Sequence, residues 1–148
     1  MTESELLNHV CPVESYDAED CRDFVTDLQS YLAGFRWAPP TGRMWVGHCI
    51  PGVIGTFLIE LKPLKADVDR FIWVIVGDLP PAYLSSVYAK TPREALSGYI
   101  GEMWAWVSAV EKNEPIDDLI PVNAPPTIQS ASNLKARLEF LERDVLPL

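Results

Sequence analysis

Residues 71–76, Phe-Ile-Trp-Val-Ile-Val, constrain the fold more than any other stretch of the chain. Six apolar residues without alternation do not make a strand with one wet face. The run therefore predicts a strand buried on both faces, in the middle of a sheet. Met44–Ile50 leads through Pro51-Gly52 into Val53–Leu61, and that short join predicts a hairpin. The connector from Lys62 to Arg70 is short and charged. It suits another antiparallel return, because a parallel crossover needs more chain.

Helical periodicity brackets these strands. Cys21, Phe24, Val25, Leu28, Leu32 and Phe35 recur every three or four residues and predict a helix over about 17–35, with Asp17 at its N-cap. Thr91-Pro92-Arg93-Glu94 is a strong start signal, with Thr at N-cap, Pro at N1 and Glu at N3. That helix runs to about Lys112. A last helix follows Pro125-Pro126-Thr127 and carries a stripe of Ala131, Leu134, Leu138, Leu141 and Val145. The expected order is α-β-β-β-α-α, with a three-stranded or slightly larger antiparallel sheet packed with helices, an α+β fold. The 148 residues form a single domain that buries roughly 70% of its unfolded surface. Residues 1–15 lack periodicity and read as an arm on that domain.

The net charge of −9 is unevenly placed. Residues 1–27 hold eight acids against Arg22 alone, a local −7, and the other 121 residues sum to −2. Such a chain repels a phosphate backbone and an anionic membrane, so neither nucleic acid nor membrane is an expected partner. No apolar stretch approaches the ~18 residues of a membrane span. The acidic start lacks a secretory pattern, and three cysteines make no disulfide framework. A cytoplasmic setting is the reading that follows. A basic protein surface is the partner that complementary charge favours. Glu19, Asp20, Asp23 and Asp27 are the candidate contacts, and Trp37, in a loop beside Arg36 and Pro39-Pro40, is the candidate aromatic anchor.

Catalytic signals are sparse. The chain has no Gly-x-Ser-x-Gly, no phosphate loop and no dinucleotide fingerprint. His9-x-Cys11 and His48-Cys49 are the imidazole–thiol pairs, and adjacent strand residues point to opposite faces, so no metal site or cofactor is expected. Asp78, after the buried run and before Pro80-Pro81, reads as a cap of a following turn or helix. Its alternative is a pocket shared with Tyr83 and His48, the enzyme reading. Gly98, Gly101, Ala105, Ser108 and Ala109 form a small-residue face on the helix over 92–111. The expected occupant of that face is the final helix; the alternative is a docking groove for a partner or for a second copy of the chain, as in a homo-oligomeric adaptor.

The string Trp73-Val-Ile-Val-Gly-Asp-Leu-Pro-Pro-Ala-Tyr-Leu84 resembles the signature of a family of small uncharacterised bacterial proteins. The likeness continues through Ala95-Leu96, Trp104–Val110, Asp118–Val122 and Arg137-Leu138, so it covers about residues 71–148. It implies no catalytic residue. By size and acidity the chain is similar to immunity proteins paired with bacterial toxins. That likeness implies a cytoplasmic binding protein that neutralises a basic, nuclease-like domain.

Overall fold

The computed structural model describes residues 3–15, 19–35, 41–62 and 70–147; of residues 19–21 it describes the main chain. The elements in chain order are α1 (Glu3–Leu7), β1 (Cys11–Pro12), α2 (Glu19–Ala33), β2 (Thr41–Ile50), β3 (Ile54–Leu61), β4 (Phe71–Gly77), β5 (Ala82–Ser85), α3 (Pro92–Glu111) and α4 (Ile128–Phe140). The strands form one antiparallel sheet in the order β1-β2-β3-β4-β5. The α+β class is as expected from sequence, but the sheet has five strands and the element order gains α1, β1 and β5. The two extra strands are short edge strands of two and four residues. Neither is long enough to show alternation, and β5 begins right after a Pro-Pro pair that signals a turn.

Helices cover both faces of the sheet, which is why β3 and β4 are buried almost end to end. On one face α2 sets Phe24, Leu28 and Leu32 against Phe57, Ile59, Ile72 and Val74. Fully burying each such side chain stabilises by roughly 1.5–3 kcal/mol. On the other face Leu96, Tyr99, Met103, Val107 and Val110 of α3 share a core with Ile54, Ile75 and the α4 stripe. All five stripe residues, Ala131 to Val145, are buried, the last two on a wide turn over Leu141–Val145. A third cluster on that face joins Leu6 of α1 to Trp45, Leu58, Phe71 and Trp73. Trp73 is fully buried and its Nε1–H donates to the Ala89 carbonyl at 2.8 Å.

The β2–β3 turn is built on Pro51-Gly52. Pro51 presets its own φ, Gly52 takes φ 72°, and Val53 N–H donates to the Ile50 carbonyl at 3.0 Å. Register shifts at Thr41/Met44 and Val46/His48 set Gly42-Arg43 opposite Glu60 and Gly47-His48 opposite Thr56. Thr91 caps α3 by accepting the Glu94 N–H at 3.1 Å, and Thr127 caps α4 through Ser130 N–H at 3.2 Å.

Two expectations are corrected. Asp78 caps no helix, because the chain after it runs into β5; its carboxylate instead meets Arg137 of α4 at 3.4 Å. The small-residue face of α3 is covered only in part: Ala109 is buried, but α4 shares its core with the apolar arc of Met103, Val107 and Val110 and leaves the middle of the face open. Gly98 lies under Leu84, while Gly101 and Ala105 are exposed and a Cβ at Gly101 would touch nothing within 4 Å. A stripe rich in apolar side chains outcompetes one that offers only backbone approach.

Candidate functional site

The exposed face of α2 carries Asp23 and Asp27, spaced one turn apart, and Tyr31 follows one turn further along the same ridge. The next ridge round the helix, about 100° away, holds Phe24, Leu28 and Leu32 in the core, which turns the acids toward solvent. Glu19 and Asp20 lie at the start of α2, where the main chain alone is described. Trp37 and Asp17 fall outside the described residues.

At its other end α2 runs into a cavity of about 440 Å³. Tyr31, Phe35, Pro81, Tyr83, Ile120 and Val122 supply most of its wall. Helix turns at the C-terminus, Gly34 N–H to the Tyr31 carbonyl and Phe35 N–H to the Leu32 carbonyl, bring Phe35 back beside Tyr31. The Tyr31 and Phe35 rings meet edge-on, 5.0 Å between centroids and 83° between planes. Phe35 meets Tyr83 of β5 in the same way, at 5.5 Å and 81°. The Tyr99 hydroxyl donates to the Pro80 carbonyl at 2.6 Å and ties the Pro80-Pro81 turn to α3. Burial, and then the neighbouring Tyr83, push the Tyr31 phenol up to about 12.

None of the three cavities of about 440, 200 and 110 Å³ brings Asp78, Tyr83 and His48 together. Asp78 and Arg137 border smaller cavities of about 200 and 110 Å³, between the Asp78–Pro80 turn and α4. Gly77, at φ 150°, brings this turn against β3: Asp78 N–H donates to the Val53 carbonyl at 3.1 Å, and a Cβ on Gly77 would lie 2.3 Å from the same oxygen. Tyr83 faces the aromatic cavity instead. His48 sits on the far strand β2, lines none of these three cavities, and has its pKa lowered by burial. Its Nδ1 and the Thr56 hydroxyl opposite are both buried without a hydrogen-bond partner. Among the described residues, no group of three His, Cys, Asp or Glu is placed to hold a metal ion. No described helix is long and apolar enough to cross a membrane.

The aromatic cavity was not visible in the sequence. Its one local signal is the Tyr31–Phe35 spacing of four residues, and Tyr83 and residues 120–122 come from distant parts of the chain. Comparison with protein-family models, with curated proteins and with solved structures finds no match to this chain.

Proposed function

We propose that this chain is a binding domain for a basic protein partner, working in the cytoplasm as an immunity protein that neutralises a nuclease-like toxin domain. The observation that carries the reading is the ridge on α2, where exposed Asp23 and Asp27 lead within one turn to Tyr31 and an aromatic cavity. Exposed carboxylates speed encounter with a cationic surface and set its orientation. An aromatic cavity beside them supplies the buried anchor that affinity needs. The uneven sequence charge, −7 within residues 1–27, includes Glu19 and Asp20 as further candidate contacts. On a nuclease, such carboxylates would take the place of phosphates.

The test is capture of a partner by the tagged chain at low and high salt. A basic partner that salt releases, and that binds the Asp23→Lys/Asp27→Lys variant at least tenfold more weakly, supports the reading. Affinity and salt dependence unchanged by the double reversal would sink it.

A further inference from the structure

We infer that the cavity of about 200 Å³ between the Asp78–Pro80 turn and α4 binds a free α-amino acid with a small apolar side chain, its carboxylate on Arg137 and its ammonium on Asp78. The site shares no residue with the acidic ridge of α2, and the inference does not rest on the proposed function. Asp78 is presented by a turn that is fixed at both ends. Gly77, at φ 150°, makes the sharp exit from β4 that a side chain would block. The Asp78 N–H is then tied to the Val53 carbonyl at 3.1 Å, and the Pro80 carbonyl to the Tyr99 hydroxyl at 2.6 Å. The main chain is anchored, yet the Asp78 side chain is 70% exposed and caps no helix. A rigid support for an outward carboxylate is what a binding site needs.

The facing wall is a polar ridge of α4, where Ser130, Asn133 and Arg137 recur at helical spacing and all line the cavity. The Thr127 hydroxyl donates to the Ser130 oxygen at 3.1 Å, which leaves the Ser130 O–H as a donor. The Gln129 amide donates to the Asn133 side-chain oxygen at 3.0 Å, which leaves the Asn133 NH2 as a donor. Arg137 gives one terminal N–H to the Asn133 carbonyl at 3.2 Å. Its contacts with Asp78, at 3.4 and 3.5 Å, are longer than the 2.9 Å between Arg43 and Glu60 and than the ~2.7–2.9 Å of a charge-assisted hydrogen bond. The two opposite charges therefore lie side by side with hydrogen-bonding capacity to spare. A lone anion there would meet the Asp78 carboxylate, and a lone cation the Arg137 guanidinium. An α-amino acid carries both charges on one carbon and matches both. The guanidinium fork suits its carboxylate, and Leu79 and Leu134 offer apolar surface to its side chain. The volume lies below the ~300–1,000 Å³ of pockets for drug-sized ligands, so the ligand has few heavy atoms.

The probe is L-alanine, set against N-acetyl-L-alanine, which lacks the ammonium, and L-alanine amide, which lacks the carboxylate. Binding is followed by main-chain amide NMR shifts in the full chain. L-Alanine should move the signals of Ser130, Asn133 and Arg137, and should bind at least tenfold more tightly than either blocked form. Asp78→Asn and Arg137→Gln should each weaken it at least tenfold, with circular dichroism confirming that each variant is folded. The comparison of the three probes uses the unaltered chain and decides the matter even where a variant fails to fold. No binding of glycine, L-alanine or L-valine at millimolar concentration would overturn the assignment. So would equal binding of N-acetyl-L-alanine, the mark of a plain anion site, or of L-alanine amide, the mark of a plain cation site. L-Alanine binding that leaves Ser130, Asn133 and Arg137 unshifted, or that survives in both folded variants, would overturn it as well.

Discussion

Arg43 grips Glu60 by three hydrogen bonds across β2 and β3. Its Nε donates to Oε1 at 3.0 Å, a terminal guanidinium nitrogen donates to Oε2 at 2.9 Å, and its own main-chain N–H donates to Oε1 at 3.1 Å. The pairing exists because the register shift turns Gly42-Arg43 toward Glu60. Glu3 of α1 and Arg70 complete the network, 2.7–3.3 Å from their partners. The network closes the cluster that holds Leu6, Trp45 and Trp73, and the Arg43 guanidinium lies over the Trp45 ring.

Removing the Glu60 charge should destabilise the fold mainly at neutral pH. The Arg43 hydrogen bonds hold the carboxyl down at about 2, below its ordinary value of 4.5. A depressed carboxyl contributes stability that is present above pH 4.5 and lost as pH falls through about 2. Glu60→Gln should cost about 1–2 kcal/mol at pH 7, less than a fully buried pair because Arg43 is half in solvent. Urea unfolding at pH 7 and pH 3 reads this, and the gap between wild type and variant should narrow at the lower pH.

Thr56→Val should stabilise the protein. The Thr56 hydroxyl is fully buried with no partner, and a buried unmade hydrogen bond costs ~1–3 kcal/mol. Valine keeps the shape and removes the oxygen, so thermal unfolding should show a higher Tm. An unchanged or lower Tm would contradict this account of the site.

Acid below pH 6.5 should weaken the fold through His48. Burial favours its neutral form and lowers its pKa. Its stabilising share is therefore present above pH 6.5 and is lost as pH falls through the lowered value. His48→Gln should flatten the dependence of Tm on pH between about 6.5 and 5.

Thr91→Ala tests the start of α3. The Thr91 side chain caps Glu94 N–H, and the Glu94 carboxylate accepts from Lys90 N–H at 3.1 Å. Loss of the cap should cost about 1 kcal/mol in denaturant unfolding, with Thr91→Ser close to wild type.

Spectrophotometric titration should show Tyr31 ionising late. Its phenol is pushed up to about 12, so its neutral form supports the fold below pH 10 and that support is lost as pH rises through about 12. Tyr31→Phe should remove one late-titrating phenol and leave the Tyr99 phenol, which burial also raises, in place.

Much of the fold was legible in the residues. The unalternating run at 71–76 implied a strand covered on both faces, and it is one. The Thr91-Pro92 and Thr127 starts, and the stripe from Ala131 to Val145, are local chemistry and local period, so they could be read directly. Short edges were not legible: β1 and β5 are strands only because β2 and β4 offer them hydrogen-bonding partners. The fate of the small-residue face on α3 depended on which stripe α4 would choose, a competition between two surfaces that no local pattern decides.

The candidate site divides along the same line. The sequence by itself determined the acidic ridge, because helical period and the positions of Phe24, Leu28 and Leu32 already send Asp23 and Asp27 to solvent. It also determined that no phosphate loop or nucleophile elbow is present. Only the tertiary structure decided that Tyr31, Phe35 and Tyr83 wall one cavity, that Asp78 pairs with Arg137, and that Glu60 finds Arg43. Charge and period are carried by neighbours in the chain. A cavity or a buried ion pair requires groups tens of residues apart to be brought within a few ångströms, and that follows from how the helices cover the sheet.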